Sequence, residues 1–176
     1  MTEAALPAVA GGTPLRSRPL PYGRHQLEES DIAAVVESLR SGTLTGGRDV
    51  ASFETALESR CDARHAVAVS SGTAALDLAV AALQIGAGDE VITTPLSFVA
   101  TANAAVRVGA TPLFADVGDD RCLDPTAVAA QVGPRTRAVI TVDYGGLPAD
   151  VDALRAVLPP GVAVVVDGAH SLGGSL

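Results

Sequence analysis

Ala66-Val67-Ala68-Val69-Ser70-Ser71-Gly72-Thr73-Ala74-Ala75-Leu76 decides how this chain of 176 residues is read. A short apolar run, too β-branched to prefer helix, stops at two serines and a glycine, and a helix-forming segment begins at once. The pattern predicts a strand, a tight turn and a helix N-terminus. The first turn of such a helix offers unpaired N–H groups and the positive end of the macrodipole, and Gly72 lets a ligand approach the backbone closely. The turn therefore suits a phosphate, with Thr73 adding a hydroxyl. It equally suits an ordinary strand-to-helix connection in an α/β protein.

Downstream, the alternation repeats. Residues 73–85 are nearly all apolar apart from Asp77 and Gln84, which predicts a helix packed on most sides and ended by Gly86. Residues 90–95 read as a strand, 98–108 as a helix closed by Gly109, and 111–117 as a strand. Residues 125–132 read as a helix with Asp124 as N-cap and Pro125 at its first position. Residues 138–143 form the next predicted strand, 151–157 a helix, and 162–166 a strand running into Asp167. Five short, continuously apolar strands separated by helices predict an α/β fold: a mostly parallel sheet, buried on both sides, with helices on both faces. Ligands of such sheets lie outside the carboxyl ends of the strands. That rule puts residues 70–73, 95–98, 143–145 and 167–170 on one rim.

Upstream, residues 1–21 are Gly- and Pro-punctuated and without periodicity, which reads as a flexible arm. Arg24 and His25 follow in a loop. Ser30 is the expected N-cap of a helix over 31–41, whose Ile32, Val35, Val36 and Leu39 define one face to be buried. A glycine-rich loop over 43–48 precedes a second amphipathic helix carrying Val50, Phe53 and Leu57.

The formal net charge of −8 and pI near 4.7 argue against nucleic-acid or anionic-membrane partners. No apolar run is long enough to span a membrane and no signal peptide is evident, so a cytoplasmic protein is expected. Cys61 and Cys122 are isolated, which indicates neither a disulfide framework nor a metal site. All 12 of the residues counted as Lys or Arg are arginines.

Asp167 leaves a run of valines at the rim. A carboxylate there caps the next turn, holds Mg²⁺ or pairs with a protonated heterocycle nitrogen. His170, three residues on, points to the same region. Phe98, one of three phenylalanines, is either core or a face for stacking on a planar ligand. Asp116 and Asp143 are further strand-end carboxylates whose simplest role is capping loops. A phosphate cradle, an aromatic face and a strand-end carboxylate on one rim suit pyridoxal phosphate, and a nucleotide also fits the cradle.

The chain resembles the N-terminal part of the DegT/DnrJ type of sugar-nucleotide aminotransferases, fold type I enzymes using pyridoxal 5′-phosphate. The resemblance rests on Pro21-Tyr22-Gly23-Arg24, Ser71-Gly72-Thr73-Ala74-Ala75-Leu76, Gly88-Asp89-Glu90-Val91-Ile92-Thr93 and Ser97-Phe98-Val99-Ala100-Thr101-Ala102-Asn103-Ala104. It continues through Gly109-Ala110-Thr111-Pro112, Pro134-Arg135-Thr136-Arg137-Ala138 and Asp167-Gly168-Ala169-His170-Ser171-Leu172-Gly173. Within the family, Pro21-Tyr22-Gly23-Arg24 and the run from Thr94 to Asn103 look nearest to the enzymes that make a 4-amino-4,6-dideoxy UDP-sugar on the way to pseudaminic acid. The resemblance implies that residues 22–176 are an incomplete large domain. It implies Gly72, Thr73 and Ala74 at the cofactor phosphate, Phe98 stacked on the ring, Asp167 at the pyridine nitrogen and His170 near the ring hydroxyl. It also implies a nucleotide-linked keto sugar as substrate, an amino acid such as glutamate as amino donor, and a homodimer. Gly168 and Asp143 depart from the residues usual at their positions. The Schiff-base lysine of the family lies beyond the aspartate in a segment absent here, so no catalytic residue is assigned and this piece is expected to be inactive alone. A non-catalytic protein binding pyridoxal phosphate or a nucleotide sugar is the alternative, and an unrelated doubly wound nucleotide-binding domain a third. The lack of a G-x-G-x-x-G after the first strand argues against the dinucleotide version of the last.

Overall fold

A computed structural model describes residues 6–21, 23–43 and 45–174. Tyr22 of the Pro-Tyr-Gly-Arg motif and Leu44 of the glycine-rich loop lie outside the described residues. The chain divides into two compact units, residues 1–51 and 52–176.

In the first unit a single 3-10 turn, Ala8–Ala10, interrupts the arm and is closed by Gly11 at φ +93°. Helix α1, Glu29–Arg40, starts two residues earlier than the sequence suggests. Its N-cap is Glu28, whose side chain accepts the backbone N–H of Asp31 while Asp31 accepts the N–H of Glu28, a reciprocal capping box. Ser30 therefore sits inside the helix. The expected buried face is not buried: Ile32, Val35, Val36 and Leu39 are all exposed. Helix α2, Arg48–Cys61, begins in this unit and ends in the next.

Among its described residues the second unit holds four strands rather than five. β1 (Glu90–Thr93), β2 (Thr111–Phe114), β3 (Thr136–Val142) and β4 (Ala163–Asp167) form an all-parallel sheet in the order β2-β1-β3-β4. Residues 66–69 are not a strand. A strand needs a ladder partner, and here the amides of Ala66 and Ala68 donate instead to the carboxylates of Glu58 (3.1 Å) and Glu54 (2.8 Å) on α2. β2 also stops short of its expected length: the amide of Ala115 makes a last bond to the carbonyl of Thr93, and β1 ends before Pro95.

Helices α3 (Gly72–Ala82) and α4 (Ala100–Arg107) cover one face of the sheet, and α5 (Pro125–Gln131) and α6 (Val151–Val157) the other. On the first face Leu76, Val80, Ala104 and Ala105 pack on Val91, Ala138 and Ile140. On the second, Val128 and Leu154 pack on Ile92 and Val139. Each fully buried Val, Leu or Ile contributes about 1.5–3 kcal/mol. The helices lie as the sequence predicts, but α3 buries only one side: Leu78 and Leu83 face solvent. The central strands β1 and β3 are buried almost throughout, whereas the edge strands β2 and β4 are partly exposed. Among the described residues no helix is long and apolar enough to cross a membrane.

Candidate active site

Parallel strands joined by crossover helices place every strand C-terminus on one edge, together with the start of each helix that returns along the sheet. Helix α3 runs back toward the start of β1, so its first turn lies at that carboxyl edge. Ser71 caps α3: its Oγ accepts the amide of Ala74 at 3.1 Å. The amides of Gly72 and Thr73 find no acceptor among the described residues. A Cβ built on Gly72 would meet nothing within 4 Å, so no neighbouring group crowds the chain at this glycine. The turn has the donors and the access that an anion needs.

Asp167 is the last residue of β4. Alternation along the strand puts its side chain on the same face as Val165, the face covered by α3 and α4. There Oδ2 accepts the Thr101 hydroxyl at 2.9 Å, and the Thr101 Oγ1 lies 2.6 Å from the Ser97 Oγ. Oδ1 has only the amide of Ala169 at 3.4 Å. No arginine or histidine pairs with Asp167 among the described residues. Phe98 lies in the turn between Ser97 and Thr101, with 73% of the residue exposed, and its carbonyl accepts the amide of Thr101 at 3.1 Å. One turn thus carries the aromatic ring and the group that holds the carboxylate.

Asp143 has a different task. It is 6% exposed, on the opposite face of the sheet, and it accepts the amide of Ala149 at 2.9 Å through Oδ1 and the hydroxyl of Ser171 through Oδ2. It fastens the loop after β3 to the turn after β4. Gly168 makes room for this contact: a Cβ there would lie 3.1 Å from the Ser171 Oγ and 3.7 Å from Oδ2 of Asp143. His170 is exposed and lies edge-on to Tyr144, with ring centroids 6.5 Å apart. Asp116 is exposed, and its backbone carbonyl accepts the amide of Asp124. A cleft of 840 Å³ lined by Arg60, Cys61, Asp143, Val166, Gly168 and Ser171 contains none of Gly72, Phe98, Asp167 or His170. The described residues contain no cluster of three or more metal-ligating side chains.

The structure brings Asp167, Phe98 and the first turn of α3 to one edge, with α3 packed on both α4 and β4. Thr101 and Ser97 are the residues that sequence reasoning missed. Thr101 falls in the first turn of a helix beginning at the rim, which was the available signal. Its partner lies 66 residues away.

A parallel sheet with an open helix N-terminus, an aromatic ring and a carboxylate without a cation among the described residues at its carboxyl edge places the chain in the class of α/β proteins whose strand ends carry the candidate site. The chain belongs to the DegT/DnrJ/EryC1/StrS aminotransferase family, whose model matches residues 25–176. It is 45% identical over 159 residues to the spore coat polysaccharide biosynthesis protein SpsC of Bacillus subtilis strain 168, a match covering 89% of this chain and 41% of SpsC. Among solved structures, DesV of S. venezuelae is 40% identical with a TM-score of 0.78, over 81% of this chain and 39% of DesV. The PLP-form of Spr1654 from Streptococcus pneumoniae is 31% identical with a TM-score of 0.76, over 79% of this chain and 36% of that one. The chain thus spans about two fifths of the length of these relatives.

Proposed function

We propose that this chain supplies the ring- and phosphate-binding part of a pyridoxal phosphate-dependent aminotransferase. Its substrate would be a nucleotide-linked keto sugar in amino-sugar or polysaccharide biosynthesis, with an amino acid such as glutamate as donor and the full-length protein a homodimer. The observation that carries the reading is the Asp167 carboxylate, half-buried at the sheet edge, held by a hydroxyl and lacking a cation. A carboxylate so placed suits a protonated ring nitrogen, because the ion pair offsets the desolvation that both groups incur.

When bound, the cofactor supplies the electron sink of transamination. The residues of this chain bind and orient it. Asp167 keeps the proton on the ring nitrogen, the turn of Gly72, Thr73 and Ala74 receives the phosphate, Phe98 offers its face to the ring, and His170 stands by the ring hydroxyl. Ala74 holds the turn in shape and leaves the phosphate to its neighbours, since its own amide is already bonded to the Ser71 hydroxyl oxygen.

An absorbance titration with pyridoxal phosphate tests this. Saturable binding is expected, weaker by about tenfold in Asp167→Asn, the size of one charge-assisted contact. Equal affinity in the variant, or no saturable binding, overturns the assignment. These 176 residues hold no lysine, so covalent attachment through a side-chain amine is not expected of this segment itself. Borohydride tests this: with no side-chain amine present, any label fixed by reduction falls on the N-terminal amine alone.

A further inference from the structure

Resting on the reading of Asp167 as partner of the ring nitrogen, we propose that Thr101, oriented by Ser97, is a positioning residue that locks the carboxylate through Oδ2 and leaves Oδ1 as the oxygen presented to the ring. The direction of the hydrogen bonds follows from the groups. An ionised carboxylate only accepts, so the single proton of Thr101 is donated to Asp167. With that proton committed, Thr101 Oγ1 can only accept from Ser97. The relay is therefore Ser97 to Thr101 to Asp167, over 2.6 Å and 2.9 Å. Successive bonds of this kind polarise one another, and Thr101 is 1% exposed, so water does not compete for them.

Two further features give the lock its purpose. Threonine is β-branched and stiff about χ1, which fixes the hydroxyl more tightly than serine would at the same place. The amide of Thr101 also bonds to the carbonyl of Phe98 at 3.1 Å. The carboxylate and the aromatic face are thereby set by one turn of chain and keep their spacing. Oδ1, whose only contact is the long one to Ala169 at 3.4 Å, remains the oxygen with capacity to accept.

Thr101→Val removes the donor and keeps the shape; Thr101→Ser keeps the donor. Infrared spectra of the chain labelled with ¹³C-aspartate report the Asp167 carboxylate, the band being identified by its loss in Asp167→Asn. A shift of this band in Thr101→Val that Thr101→Ser restores is expected, with a smaller shift in Ser97→Ala. An unmoved band in a folded Thr101→Val overturns the lock. Cofactor affinity is expected to fall about fivefold in Thr101→Val and to stay within about twofold of the parent in Thr101→Ser. Normal affinity of the parent with no change in Thr101→Val overturns the positioning role alone. Failure of the parent to bind overturns the reading of Asp167, and the role of Oδ1 with it, while leaving the infrared result on the lock intact.

Discussion

Thr93 and Thr141 stand on neighbouring central strands, both fully buried, and their hydroxyls differ in one respect. That of Thr93 donates to the carbonyl of Ile140 at 2.9 Å, whereas Thr141 Oγ1 has no partner among the described residues. Valine matches threonine closely in shape, so the same substitution gives opposite outcomes. Thr93→Val is expected to cost about 1 kcal/mol, the net worth of a buried hydrogen bond, and Thr141→Val to raise stability by about 1 kcal/mol by removing an unpaid desolvation. Urea midpoints of the two variants check this, and a loss of similar size in both would mean that Thr141 has a partner. Such pairings were not legible in the sequence, because they depend on the register of β1 against β3. The position of Asp167 was legible, since a run of valines ending in a carboxylate marks a strand end. That its holder is Thr101 depends on how the start of α4, which packs on β1 and β2, reaches the end of β4.

The elements were readable where a local rule determines them. Asp124 and Pro125 start α5, and Asp150 caps α6 through the amide of Ala153 at 2.9 Å. The rule failed at α1, where Ser30 was the expected cap and Glu28, in a reciprocal bond with Asp31, takes that place. It also failed at residues 66–69, which have strand-forming composition but no neighbouring strand, so two glutamates of α2 take up their amides. The Ser71 cap is where element stability and ligand binding can be separated. Ser71→Ala removes the acceptor for Ala74 and is expected to cost about 1 kcal/mol in chemical denaturation. Ser71→Asp keeps a cap and hence stability, yet places a negative charge beside the open amides of Gly72 and Thr73. It is expected to weaken pyridoxal phosphate binding in the absorbance titration with the fold intact. Unchanged affinity there would mean that the phosphate does not sit on this turn.

Across the sheet-bearing unit the two edges treat carboxylates differently. At the amino edge they are paired with arginine: the Nε of Arg137 donates to Asp89 at 3.0 Å, and that of Arg135 to Glu90 at 3.0 Å. At the carboxyl edge Asp143 and Asp167 are held by hydroxyls and amides, with no arginine beside them among the described residues. Paired charge accordingly stabilises the edge away from the candidate site, and carboxylate charge at the site edge remains available to a ligand. The Asp89 carboxyl lies below the usual carboxylate range, held there first by the hydrogen bond from Arg137 and then by the amide of Gly86. A group with a lowered native pKa binds fewer protons folded than unfolded, so its contribution is complete above the unfolded value of about 3.9 and is lost as pH falls through the native value. Asp89→Asn retains an acceptor for Gly86 but not the charge. Its urea midpoint is expected below that of the parent at pH 7, with the gap narrowing as pH drops from about 5 toward 3. Added salt is expected to narrow the gap at neutral pH as well, since Arg137 is largely solvent-exposed. A gap independent of both pH and salt would show that Asp89 acts through its turn geometry and not through the ion pair.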